Sequence, residues 1–435
     1  MRRAQLPALL PGLILAALVI VIAACADNES GEDGATPTPT PAFGLRTDVV
    51  TPADRVREIA FAPDGRIFFA EQITGNIRII QADGTVQGAP FASLAVADYI
   101  QLDWGLTSIA LDPDFASNGY VYAFFTEPLN TQDQPLGPTG RPQIVRFTDE
   151  DGTGVDRTVI SDDFPETAIE HPGFNANGRL AFGPDGYLYA SFGDYDYNSE
   201  DPATFSQDLS SPIGKLLRID PADGSAAPGN PFEGDAAADP RVYAYGFRDP
   251  FPVTFNPDTG TLYGTDNTTI TCEELNVIEP GANYGWPAGE FPYADCEVGE
   301  QGDVIHNFAR DGMQPIDFVS FVEVSSLVFS SGDRYPSMGA GLIVCESWRS
   351  QSADGDVSPG VLRRIVLNDA GDEVVSSDAI VRDCRGAVSV AADGAIYYAN
   401  DTEIRKLEIG PPGDGGSQET PDGEQPTQPV PIVTP

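Results

Sequence analysis

Residues 177–221 read NGRLAFGPDGYLYASFGDYDYNSEDPATFSQDLSSPIGKLLRIDP. Two short runs, GRLAF and YLYASFG, flank the tetrapeptide Gly183-Pro184-Asp185-Gly186. Proline presets φ and glycine tolerates a positive φ, so this tetrapeptide reads as a hairpin turn. Leu180, Phe182, Leu188 and Tyr189 supply the apolar and aromatic bulk that a packed pleat needs. A long polar insertion then leads to a third strand at 215–219, stopped by Asp220-Pro221. Strand, turn, strand, polar loop, strand is most of one propeller blade with a loop on its open face.

The same pattern recurs on either side. It is found at 59–80 (IAFAPDGRIFFAEQITGNIRII), and at 105–126 (GLTSIALDPDFASNGYVYAFFT) with IVRF following from Ile144. It returns at 253–266 (VTFNPDTGTLYGTD), continued by LNVIEPGANYGWP, and at 325–347 (SSLVFSSGDRYPSMGAGLIVCES), continued by GVLRRIVL. The last unit is AVSVAADGAIYYANDTEIRKLEI at 387–409. Six such units form an array, and a ring lets each sheet bury its faces against neighbours without a long exposed edge. The expected fold is all-β, a six-bladed β-propeller over residues 45–409. Helical periodicity is essentially absent, and 45 glycines with 38 prolines suit a turn-rich chain.

The 435-residue chain carries 66 acidic against 24 basic residues, a formal charge of −42. Such a field repels phosphate backbones and argues against nucleic-acid partners. Cations are the favoured counter-species. Lysine occurs only at Lys215 and Lys406.

Arg2 and Arg3 precede an apolar run from Leu6 to Ala24 that ends in small residues before Cys25. A basic start, an apolar centre and small residues at the end form an export signal over 1–25. Ile22-Ala23-Ala24-Cys25 resembles the lipobox of bacterial lipoproteins, in which the cysteine is acylated; an uncleaved membrane anchor is the alternative. Either way the remainder lies outside the cytoplasm, and the membrane is touched through the anchor alone. Residues 26–44, rich in Thr and Pro, read as an extended tether, and 410–435 as a disordered tail. Cys272, Cys296, Cys345 and Cys384 suggest two disulfides in an exported protein. Proximity favours 272–296 with 345–384, although three pairings are open.

Taken in series, GLTSIALDPDF, NGRLAFGPDGYLYASFGD, QDLSSPIGKLLRIDP, VYAYGFRDPFPVTFNP, EELNVIEPGANYGWP and AADGAIYYAND resemble the glucose/sorbosone dehydrogenase family of soluble quinoprotein aldose dehydrogenases. The resemblance implies a propeller that binds pyrroloquinoline quinone (PQQ) and calcium on one face. There an aldose would lose its C1 hydride to the quinone while a base takes the hydroxyl proton. Arg248 falls on the arginine beside the reacting quinone carbonyl, with Asp249 where asparagine is usual. Asp194 falls on the carboxylate that orients base and substrate. Asp266, Asn267, Glu273, Glu274 and Asn276, with backbone oxygens near Thr268 and Thr269, match the loop that supplies metal ligands; calcium requires such an oxygen cluster.

One position departs from the family. The base histidine stands four residues before the arginine of the GRL motif, and here that residue is Asn175. Asparagine cannot usefully accept a proton. Of the two histidines, His171 lies four residues upstream and is either the displaced base or an ordinary loop residue. His306 reads as part of a polar loop without a family match. The resemblance further places Asp103, Asn175, Trp348, Arg349 and Arg385 around the cofactor, where guanidinium groups suit carboxylates and an indole suits a planar ring. The expectation is an exported PQQ-dependent sugar dehydrogenase whose electron acceptor is unknown. A propeller without chemistry, acting as a sugar-binding or interaction module, is the alternative; a sugar lactonase lacks motif support.

Overall fold

A computed structural model describes residues 45–97, 104–129, 140–166, 175–195, 203–267, 273–286, 303–307, 320–350 and 360–410, with no side chains described at 303–307, 320–322 and 348–350. The described strands form six four-stranded antiparallel sheets, the expected six-bladed β-propeller. The first blade orders Val56–Phe61, Ile67–Glu71, Asn76–Ile80 and Ala92–Ser93; the second, Leu106–Leu111, Tyr120–Pro128, Gly140–Glu150 and Thr153–Ser161. The third contains Leu180–Phe182, Leu188–Phe192, Lys215–Ile219 and Val242–Tyr245; the fourth, Pro250–Phe255, Leu262–Asn267, Glu273–Val277 and Asp303–Asn307. The fifth runs through Ser320–Ser330, Gly341–Ser350, Val361–Leu367 and Val374–Arg382.

The sixth blade closes the ring. Its strands Val388–Val390, Ile396–Ala399 and Glu403–Ile409 take their fourth partner from the other end of the chain, Leu45–Pro52, which pairs antiparallel from Leu45 opposite Ile409 to Pro52 opposite Glu403 with a register shift between Val49 and Thr51. The outer edge of the last blade is thereby paired, and the first and last strands of the ring hold each other.

Turn chemistry explains the hairpins. Gly186 (φ 80°), like Gly65 (φ 89°) in the first blade, occupies the left-handed region that a side chain resists. Six apolar clusters fill the spaces between successive blades, including the junction of the sixth with the first. Phe124, Phe164 and Phe192 meet between blades two and three, the last two stacked with centroids 4.5 Å apart. Burying such rings contributes about 2–3 kcal/mol each, so the ring is held by its blade interfaces rather than by single blades.

A buried cation ties the first strands together. Arg179 donates from Nη1 to the carbonyls of Arg57 and Thr107 and from Nη2 to that of Ser325 at 2.7 Å; its guanidinium lies 4.5 Å from the Phe251 ring. Blades one, two, four and five are thus gathered by one side chain from blade three. Burial pulls the Arg179 pKa down to about 10, and desolvation pushes the half-buried Glu58 carboxylate beside it up to about 7.

Candidate active site at the upper ends of blades three and four

In each antiparallel blade the start of the first strand, the end of the second and the start of the third lie at one end, here called upper. For blade four these points are Arg248-Asp249, Asp266-Asn267 and Glu273-Glu274. Gly246 allows the chain to turn there: it has φ 80°, and a Cβ would stand 2.1 Å from Asn283 Oδ1. Phe247 stacks on Tyr284 (4.6 Å, 13°), which sets the next residue at the end of the sheet.

Arg248 is held from three directions. Its N–H and that of Asp249 donate to the two carboxylate oxygens of Asp266 (3.1 and 2.7 Å), while Nη1 donates to the Asn267 carbonyl at 2.8 Å. From blade three, the Asp194 N–H donates to the Arg248 carbonyl at 2.6 Å. The Asp194 carboxylate accepts from Asn175 Nδ2 on one oxygen and from Trp286 Nε1 on the other, both at 2.8 Å. The Trp286 ring lies 5.9 Å from the Arg248 guanidinium. Gly193 permits this approach, because a Cβ there would stand 2.1 Å from the Asn175 carbonyl. A cation, a carboxylate and an indole from two blades therefore share one upper-end site, the arrangement needed to meet developing charge without reorganisation.

Beside it lies a group of buried acids. Asp266, Glu273 and Glu274 are each no more than 3% exposed. Burial pushes Asp266 up to about 7 and Glu274 up to about 8, the latter also through the Asp266 charge; Glu273 rises well above the ordinary carboxylate range for the same first reason, opposed by Arg248. Register places Asp266 opposite Glu274 and Asn267 opposite Glu273. Because neighbours along a strand alternate faces, the two pairs sit on opposite faces of the sheet. No group of three or more His, Cys, Asp or Glu side chains is ready to hold a metal among the described residues. The donors nonetheless suit a hard cation. Glu273 Oε2 is buried without a hydrogen-bond partner, and carboxylate and amide oxygens are the ligands calcium takes.

The other expected residues are more scattered. Arg385, before the sixth blade, pairs with Asp401 at 3.0 Å. Trp348 and Arg349 lie in the second strand of blade five, opposite Val322 and Phe321. His306 belongs to a strand, opposite Leu275, and not to the polar loop expected for it; pairing with the third strand of blade four overrides a polar local sequence. His171, Asp103, Thr268, Thr269, Cys25 and the 272–296 pair lie outside the described residues, as do 1–44 and 411–435. A disulfide joins Cys345 to Cys384 (Cα–Cα 5.4 Å), tying blade five to the segment that enters blade six.

Three residues of this junction carry no assigned role in the sequence motifs: Trp286 and Asn283 within GANYGWP, and Gln207 within QDLSSPIGKLL. An aromatic residue in a Gly- and Asn-rich turn was the available signal.

The fold is a closed ring of six sheets, and an arginine and several carboxylates gather at one end of blades three and four. A family model described as Glucose / Sorbosone dehydrogenase matches residues 53–408, and the chain belongs to that family. It is 26% identical over 361 residues to the aldose sugar dehydrogenase of Escherichia coli, spanning 80% of this chain and 88% of that one. It is 28% identical over 258 residues to quinoprotein glucose dehydrogenase B of Acinetobacter calcoaceticus, spanning 55% and 51%. A putative oxidoreductase (glucose dehydrogenase) structure from Thermus thermophilus superposes with a TM-score of 0.65 at 30% identity, over 84% of this chain and all of that one.

Proposed function

We propose that this protein is an exported quinoprotein dehydrogenase that oxidises an aldose at C1. The reaction removes a hydride from C1 and a proton from the attached hydroxyl, leaving a lactone. PQQ, when bound, would supply the two-electron acceptor. The observation that carries this reading is the junction at Arg248. A guanidinium is locked by Asn267, its backbone by Asp266, and the Asp194 backbone from the adjacent blade is tied to the Arg248 carbonyl while Asn175 and Trp286 fix the Asp194 carboxylate.

The roles follow from those contacts. Arg248 stabilises negative charge that develops on the acceptor oxygen, and its fixed geometry spares the cost of reorientation. Asp194 orients the sugar hydroxyl and the proton acceptor. Asn175 contributes an N–H to that carboxylate and cannot take the proton, so His171 receives the role of base. Asp266, Glu274 and Asn276 on one face of the strand pair, or Glu273 and Asn267 on the other, would hold calcium with the backbone near Thr268 and Thr269. Trp348, Arg349, Arg385 and Asp103 would anchor the remainder of the cofactor. Cys25 acylation would keep the enzyme on the extracytoplasmic side of its membrane, where an acceptor of unspecified kind would take up the electrons.

The test is reconstitution of the full chain with calcium and PQQ, followed by absorbance of the bound cofactor and sugar-dependent dye reduction. Both signals are expected. Neither appearing with folded protein removes the dehydrogenase reading, and dye reduction that survives His171→Ala removes His171 as base.

A further inference from the structure

Trp286 is gripped at every polar atom it has. Its N–H donates to the Gly246 carbonyl at 2.8 Å, its carbonyl accepts from Gln207 Nε2 at 2.7 Å, and its indole N–H donates to Asp194 Oδ2 at 2.8 Å. Gln207 in turn forms a reciprocal amide pair with Asn283, Nε2 to Oδ1 at 3.0 Å and Nδ2 to Oε1 at 2.8 Å. The pair presses against Gly246, where a Cβ would stand 2.9 Å from Gln207 Nε2. The loop bearing Gln207 is itself pinned from below. The buried Lys215 donates from Nζ to the carbonyls of Phe205, Ser206 and Ile213 at 2.8, 2.9 and 2.7 Å. A half-buried indole thus inherits its position from two amides and a clamped loop, and points its one donor at a functional carboxylate.

From this geometry we infer that Trp286, set by the Gln207–Asn283 pair, is a positioning residue that orients Asp194 and holds it in its charged form beside Arg248. The inference rests on the dehydrogenase reading for its kinetic consequence but not for its structural one. An N–H donor aimed at a carboxylate favours the ionised state and fixes which oxygen stays open to a ligand. The Asp266 carboxylate on blade four opposes that ionisation, and the Arg248 guanidinium, 5.9 Å from the same indole ring, supplies positive charge that favours it. No residue adjacent in sequence to Asp194 supplies these interactions.

The experiment uses the full chain with Trp286→Phe, Gln207→Met and Asp194→Asn. The first readout needs neither cofactor nor sugar. Among the indole N–H signals of ¹⁵N-labelled protein, the one lost in Trp286→Phe is expected to move with pH in the wild type and to stay fixed in Asp194→Asn. The second is dye reduction after loading with calcium and PQQ. Trp286→Phe is expected to lower kcat about tenfold with a smaller change in KM, and to move the acid limb of the pH profile up by about one unit, since the carboxylate has lost a donor. Gln207→Met should move both in the same direction and by less, and it carries the kinetic test if Trp286→Phe does not fold. An indole signal indifferent to pH, or one that titrates unchanged in Asp194→Asn, overturns the inference; so does an unshifted pH profile in active Trp286→Phe. A wild type that never turns over defeats the dehydrogenase reading separately, and the indole titration still decides the role of Trp286.

Discussion

Glu346 in blade five and Glu273 with Glu274 in blade four are equally hidden from water, at 1, 3 and 3% exposure. Their surroundings differ. Glu346 is met by Arg363 through both Nε and Nη2, the latter at 3.1 Å, so charge is balanced inside the blade. In blade four the acids Asp266, Glu273 and Glu274 are set against Arg248, and burial drives all three upward. A buried ion pair that is complete is scaffold; an acidic excess beside a locked arginine is the setting in which the proposed calcium would be held. Neighbouring blades with the same strand order are thereby assigned different work.

The contrast can be challenged experimentally. The largest effect should come from Arg363→Ala, which strands Glu346 without its partner and should cost about 3–5 kcal/mol in chemical denaturation. A loss well under 1 kcal/mol would mean that blade five does not depend on its pair. Arg248→Ala in blade four should instead spare most of the fold and lower kcat of dye reduction about 10²–10³-fold. Equal damage to folding and turnover in both variants would erase the distinction between them.

The acids of blade four supply a pH test. Folded-state pKa values of about 7 for Asp266 and about 8 for Glu274 stand above the ordinary 3.8 and 4.5. The folded protein therefore retains protons that the unfolded chain has released. The contribution to stability is full below about pH 4 and is lost as pH rises through about 7 to 8. Tm of the chelator-treated protein should fall across that interval, and added calcium should raise Tm more at about pH 8 than at about pH 5, since the ion then replaces the missing protons. A calcium shift that is the same at both pH values would argue against these carboxylates as its ligands. The smallest effect belongs to Glu274→Gln. It should stabilise the metal-free protein at about pH 8 by roughly 1 kcal/mol and shrink the calcium shift.

Much of this molecule could be read from local pattern. Pro-Asp-Gly turns between apolar runs announce hairpins because the backbone dihedrals they need are set within four residues, and repetition of the unit announces a ring. The family motifs point to Arg248 and Asp194, and asparagine stands at 175 where those motifs carry histidine. Other features depend on which distant segments meet. The pairing of 45–52 with the last strand, the convergence of the Arg57, Thr107 and Ser325 carbonyls on Arg179, and the approach of Trp286 to Asp194 across 92 residues arise only when the ring closes. Hydrogen bonds within a turn leave a mark on neighbouring residues. Those between blades leave none, because the propeller brings their partners together through packing that no short stretch of chain encodes.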